Sequence, residues 1–448
     1  MIMNPDTKHN QSSSLRIVNP DAAGIDIGAT SHFVAVPDGR DKETVREFQC
    51  FTSDIQEMIR WLKQCSIKTI VMESTGSYWI PVFEMLDQAG FEVKLVDAHH
   101  IKNVRGRKSD VIDCQWLQQL HMHGLLSGAF RPENDVIELR SYLRQRSMLI
   151  ETVARHTQHM QKAMIQMNLH LHNVISDITG VTGMAIIRAI LKGETNPDTL
   201  AKMRDSRCAS PMEIIKKSLE GNYREEHLFE LSQAVEAFDF FQTKIKECDE
   251  KIKKKLQMKC PELPPDKTSK RKPRKNEYAF NLTGYLKQIL GVDLTAIPGM
   301  DASTALKLIS EIGTDILKWP SPKHFCSWLG LCPGTKISGG RRLSGRTKPC
   351  RNKAAICLRM AASSLYRSQT AYGAFLRKMK SRHGPVQAIT ALAHKMARTI
   401  YCMLSDRQGF KEMGADYYDN LHKERTLKYL KKRATDLGYS LTEMQKTG

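Results

Sequence analysis

Two long apolar seams constrain this chain more than any other feature of its sequence. Steps of three and four residues from Leu143 reach Arg146, Ile150, Val153, Thr157, Met160, Met164, Met167 and Leu171, and seven of these nine positions are apolar. A second series runs through Leu228, Leu231, Val235, Phe238, Gln242, Ile245, Asp249, Ile252 and Leu256, again with seven apolar positions of nine. That spacing is the stripe of a coiled-coil helix. The seams predict an antiparallel helical arm over 131–258, with a small helical cap at about 174–222. Two amphipathic helices in one globular bundle satisfy the same pattern.

The remaining segments differ in texture. Residues 1–20 read as a polar leader without the apolar core of a signal peptide. Residues 21–130 alternate strand and helix signals: a strand, turn and strand over 23–39, a third strand at Phe48–Thr52, a helix over 54–65 and a buried strand over 67–74. A helix over 79–89, a strand over 91–97 and a helix from Ser109 to Gly124 complete the block. Residues 259–284 read as a linker, and six of the nine residues Lys267–Lys275 are basic, among them Lys270, Arg271, Lys272, Arg274 and Lys275. A mostly helical unit over 285–405 and a charged helical tail over 406–448 follow.

Charge narrows the partner. The chain has 448 residues, 68 Lys+Arg against 48 Asp+Glu, and a net charge of +20. Such an excess favours a polyanion, most simply nucleic acid. No apolar run approaches the roughly 18 residues that a membrane span needs. The eleven cysteines include no Cys-x-x-Cys pair, which argues against a zinc site and fits free thiols in a reducing cytoplasm.

Four carboxylates stand out. Asp26 sits in the first strand, in AGIDIGAT, with Ile25 and Ile27 pointing to the opposite face. Glu73 ends the apolar run TIVMES. Asp110 and Asp113, three residues apart at a helix start, share one face. A carboxylate at a buried strand centre is costly unless paired or bound to a cation. Hard oxygen ligands of this kind suit Mg²⁺ or Mn²⁺, which serve phosphodiester chemistry. The element order, with its Asp, Glu and Asp-x-x-Asp, is that of an RNase H-like (RuvC-like) domain. Read singly, Asp26 can be strand-edge polarity, Glu73 a helix cap, and Asp110 and Asp113 favourable charges in a first helical turn. DIGAT also resembles the first phosphate loop of actin-like sugar kinases, but no second glycine-rich phosphate loop or adenosine motif follows.

The C-terminal unit opens with LTAIPGMDASTALKLISEIG (294–313), a Pro-Gly turn into a helix, either a helix-hairpin-helix element whose backbone amides meet DNA phosphate or a generic turn into a helix. Then comes a glycine-rich loop with Lys336, Arg341, Arg342, Arg346, Lys348, Arg351 and Lys353 and no acid. Arginines clamp phosphate and glycines let the backbone approach it. Ser338 and Ser344 lie within this loop, which read alone is a phosphate-binding surface or a nucleophile site.

With these pieces in order, the chain resembles the DEDD transposases, or serine-assisted recombinases, of the insertion-sequence 110/1111 family. The motifs are GIDIGAT, VMESTGSYWIP, VDAHHIKNVRGRKSDVID, IPGMDASTALKLISEIG and FCSWLGLCPGTKISGGRR, and they span roughly 22–405. The resemblance implies that Asp26, Glu73, Asp110 and Asp113 form a metal-binding tetrad. It implies Ser338 as the nucleophile on DNA phosphate, with Ser344 the runner-up, and a composite site built by two protomers. It further implies double-stranded DNA as substrate, a structured non-coding guide RNA, a homo-oligomer (dimer or tetramer) joined through the arm, and a place in the bacterial cytosol. The cap, the basic linker and Pro349–Cys350 depart from a minimal member. A junction-resolving nuclease using the carboxylates alone and a non-catalytic nucleic-acid-binding protein are the competing functions.

Overall fold

The computed structural model describes residues 16–74, 76–96, 110–126, 128–261, 275–347 and 352–442. The chain divides into two units, Met1–Arg131 and Pro132–Gly448.

The first unit is built on five strands, β1 (Ala22–Ile27), β2 (Ser31–Ala35), β3 (Val45–Gln49), β4 (Thr69–Glu73) and β5 (Glu92–Val96). Their order in the sheet is β3-β2-β1-β4-β5. β2 runs antiparallel to β1 and β3, while β1, β4 and β5 are parallel. Among the described residues three helices accompany them: α1 (Thr52–Gln64), α2 (Trp79–Gln88) and α3 (Asp110–Met122). Strand side chains alternate between faces. Ile25, Ile27, Ile70 and Met72 therefore join Met58, Leu62, Val82 and Leu86 of α1 and α2 in one core. Val71 and Val96 turn to the other face and meet Leu117 of α3. The third strand lies three residues earlier than the sequence predicts. Phe48 is its only fully buried side chain, so the edge strand has too little alternation to mark its ends.

In the second unit, α4 (Asn134–Gln166) and α9 (Glu225–Lys259) are the long helices, and α5 (Leu171–Val174), α6 (Val181–Leu191), α7 (Pro197–Lys202) and α8 (Met212–Lys217) lie between them. Asp135 pairs with Lys259, Glu138 with Lys255 and Arg146 with Asp249. The pairings descend along α9 as they ascend along α4, so the helices are antiparallel. The predicted seams face inward, and Met160, Met164, Leu231, Val235 and Phe238 share a core with Ile186, Ile190 and Leu200 of the intervening helices. The polar interruptions of the seams answer one another. Arg146, 4% exposed, bonds Asp249 through Nε at 2.5 Å and the Asn276 carbonyl through Nη2 at 3.0 Å.

The C-terminal part contains α10 (Leu282–Leu290), α11 (Ala302–Ile312), α12 (Pro322–Trp328), the strands β6 (Lys336–Ser338) and β7 (Arg341–Ser344), then α13 (Lys353–Ser364), α14 (Ala371–His383), α15 (Pro385–Asp406) and α16 (Gly414–Asp436). Asp301 caps α11 by accepting from the Thr304 amide at 2.7 Å. One of the helix-start amides predicted to meet phosphate is thus already engaged. At its other end, Arg140 of α4 donates to the carbonyls of Ser310 and Glu311, satisfying groups that a helix terminus leaves open. No described helix is long and apolar enough to cross a membrane.

Candidate active site

The four carboxylates come from three elements that the sheet brings together. The β1–β4 register pairs Ile25 with Met72. The next residues on the two strands are Asp26 and Glu73, which therefore leave the ends of neighbouring strands on the same face. That face is the one α3 crosses. Gly24 makes the crossing possible: a Cβ there would lie 2.4 Å from the Gln118 amide nitrogen and 2.5 Å from the Cys114 carbonyl oxygen. Further along, the His121 ring nitrogen Nε2 meets Thr69 Oγ1 at 2.9 Å. Helix α3 thus runs opposite to β1, and its first turn, with Asp110 and Asp113, lies toward the Asp26 end.

The electrostatics register this convergence. Burial raises the Asp26 carboxyl from 3.8 to about 6, and the like charges of Asp110, Asp113 and Glu73 add to the rise. Asp26 and Asp113 are half-buried, and Asp110 is exposed. Beneath them the Cys114 thiol is fully buried, and burial pushes it up to about 12, with Asp26 adding to the rise. Burial also lowers His121 to about 4, so the imidazole is a neutral support in the floor. The donors are hard carboxylate oxygens, which by chemistry fit a divalent cation. Among the described residues no three His, Cys, Asp or Glu side chains converge closely enough to hold a metal ion. As they stand, the four meet through their fields and not at ligand distance.

Gly24, Cys114 and His121 were not singled out by sequence reasoning. A glycine inside a strand does signal close backbone approach, so Gly24 was legible. Gly24→Ala should cost about 1–3 kcal/mol, because the clash is with backbone that cannot rotate away. A thermal midpoint equal to that of the parent would show that α3 can lift without penalty.

The serine segment is a β-hairpin, where the sequence suggested a loop in a mostly helical unit. β6 and β7 pair antiparallel, with Ser338 opposite Arg341. Gly339 and Gly340 join them at φ of 53° and 73°, the left-handed pair that a two-residue hairpin turn requires. Pro333 bridges Thr347, and the Gly334 amide donates to the Arg346 carbonyl at 2.8 Å, so pairing continues to the hairpin's base. In the chain that base follows buried Leu329 and Leu331, which come after the aromatic group of Trp319, Phe325 and Trp328.

Ser338 is exposed beside the turn, and Ser344 is half-buried, its Oγ accepting from the Arg346 amide at 3.3 Å. Arg341, Arg342, Arg346 and Lys353 are exposed. Lys336 lies in β6. Lys275 donates to Asp177 at 3.0 Å and to Thr179 at 2.6 Å, so this linker cation is anchored within the chain. Lys270, Arg271, Lys272, Arg274, Lys348 and Arg351 lie outside the described residues, as do Ser109 and Pro349–Cys350.

The first unit is thus a five-stranded mixed sheet with acidic side chains toward one end, and the second bears a basic serine hairpin. Residues 23–169 match the DEDD-type transposase model of the IS110 family, and residues 293–376 match the model described as transposase of the IS116/IS110/IS902 family. The chain belongs to the IS110 family of transposases. No curated protein matches it.

Proposed function

We propose that this transposase cuts and rejoins DNA by phosphoryl transfer, with Asp26, Glu73, Asp110 and Asp113 as the ligands of Mg²⁺ or Mn²⁺ and Ser338 as the attacking hydroxyl. The observation that carries the tetrad is the raised Asp26 carboxyl, which feels the other three acids from separate elements. A bound divalent ion would neutralise that field and act as a Lewis acid toward phosphate oxygens. Exposure at the turn favours Ser338, since the Ser344 oxygen already accepts a backbone bond. In the reaction a serine O–P bond forms as one DNA P–O bond breaks, and the proton lost by the serine hydroxyl is balanced by one taken up by the departing DNA oxygen, which leaves as a hydroxyl. The phosphodiester energy stays in the protein–DNA ester, so rejoining needs no external energy source. Arg341, Arg342 and Arg346 would hold the flanking phosphates.

The sheet order, with β2 running against the other four strands, supports an RNase H-like reading of the first unit. The inward seams of α4 and α9 support the coiled-coil reading of the arm. Recognition through an element-encoded RNA follows from the family resemblance, as do a dimer or tetramer and a cytosolic location. It is consistent with a protein that offers charge and shape for base pairing to exploit.

The deciding experiment is to trap a covalent adduct between the full chain and a labelled element-end duplex in Mg²⁺. The adduct should vanish in Ser338→Ala and persist in Ser344→Ala. The reverse pattern would move the nucleophile to Ser344. Undiminished cleavage by Ser338→Ala without any adduct would favour the carboxylate-only nuclease.

A further inference from the structure

The hairpin that carries Ser338 also exposes two aliphatic side chains that phosphoryl transfer does not use. Ile337 is 66% exposed and Leu343 is 68% exposed. Residues paired across two strands share a face. Ser338 and Arg341 therefore stand on one face, and Ile337 and Arg342 on the other. Leu343 falls at the register shift, between Arg342, which pairs with Ile337, and Ser344, which pairs with Lys336. The short ribbon thus offers arginines, two exposed aliphatic side chains and the serine within a few residues of its turn. A phosphate clamp alone needs no aliphatic groups, and water is a poor environment for them.

The shape fits a particular use. A two-stranded ribbon is narrow enough to enter a DNA groove. The register shift between Lys336 and Ile337 marks a bulge, which bends a ribbon and increases its twist. Proteins that kink DNA insert apolar wedges between base steps while neighbouring cations hold the backbone. Nothing in the hairpin's charge opposes this: from Lys336 to Lys353 there is no acidic residue.

We infer that Ile337 and Leu343 form an apolar wedge that enters duplex DNA beside the phosphate to be cut, opening a base step and turning the backbone toward Ser338. The two are positioning residues. The inference rests on the Ser338 reading for where the cut falls, while the insertion itself does not depend on the serine.

The test uses full-length Ser338→Ala protein and an element-end duplex with 2-aminopurine on either side of the cut phosphate, as mapped by the trapped adduct. Binding should raise the 2-aminopurine fluorescence several-fold. Adding Ile337→Thr and Leu343→Thr, which keep strand-compatible residues at exposed positions, should return it to the duplex level while the salt dependence of binding stays the same. In the Ser338 background the same pair should slow adduct formation on the order of 10- to 100-fold. Leu343→Met with Ile337→Val should restore both signals. Binding without any fluorescence rise, or a rise that survives the threonine pair, overturns the wedge. So does a change of oligomeric state in the threonine pair without DNA, which would assign the aliphatics to a second copy of the chain. If no Ser338 adduct forms, the duplex is scanned with 2-aminopurine at every step. A rise that depends on the aliphatics then upholds the wedge and removes only the serine assignment.

Discussion

Asp26→Asn should stabilise the metal-free protein at pH 7 while lowering DNA cleavage at least ~100-fold. The carboxyl titrates near 3.8 when unfolded and near 6 in the fold. Between these values the folded state binds the proton more tightly, so metal-free stability is full below about pH 4 and falls as the pH rises to about 6. The deficit at pH 7 is on the order of 2–3 kcal/mol, reduced by the solvent that reaches this half-buried group. Asparagine keeps the shape and removes the charge. Urea unfolding should therefore give a higher midpoint for the variant at pH 7 and matching midpoints near pH 4. Mg²⁺ should raise the parent's midpoint at pH 7 and leave the variant nearly unmoved. Equal midpoints at pH 7 without metal would mean that neither burial nor the neighbouring acids raise the carboxyl in the fold. Full cleavage by the variant would remove the tetrad from the reaction.

Arg146→Ala should destabilise the second unit by about 3–5 kcal/mol, the cost of leaving a partly buried charge unpaired. Arg146 bonds Asp249, holds the Asn276 carbonyl and stacks its guanidinium 4.0 Å from the centre of the Tyr278 ring. Burial pushes the Tyr278 hydroxyl above its ordinary value, in keeping with a dry surround. Alanine strips all three contacts at once. Arg146→Leu with Asp249→Leu should recover much of the loss, since a buried ion pair replaced by apolar groups is often neutral or better. Helix signal followed through urea unfolding measures both. A cost below about 1 kcal/mol for the alanine would place the pair among solvent-screened bridges. A double leucine variant worse than either single one would show that the pair specifies the register of α4 on α9.

The elements of the first unit were legible because its strands and helices repeat with different periods. Ile25 and Ile27 on one face and Asp26 on the other can be read from AGIDIGAT, and the apolar run ending at Glu73 marks a buried strand. The seams were legible for the same reason, down to Arg146 and Asp249 as their polar interruptions. The edge strand β3 was misplaced because one buried phenylalanine makes no pattern. The hairpin reads as a loop because its glycines and arginines give no strand alternation, although Gly339–Gly340 is itself a hairpin signal.

The sequence by itself determined which residue types could do chemistry: acids at strand ends and a helix start, serines among arginines, and apolar stripes long enough for an arm. Local spacing is sufficient for this, because side-chain direction follows the period of the element. Only the tertiary structure decided that Asp26 and Glu73 neighbour each other across parallel strands, and that Gly24 lets α3 bring Asp110 and Asp113 toward them. It alone paired Arg146 with Asp249, and it turned the serine segment into a ribbon with Ser338 opposite Arg341. These are contacts between residues far apart in the chain or matters of pairing register. Strand order, crossing distance and register fix them, and no local period encodes those.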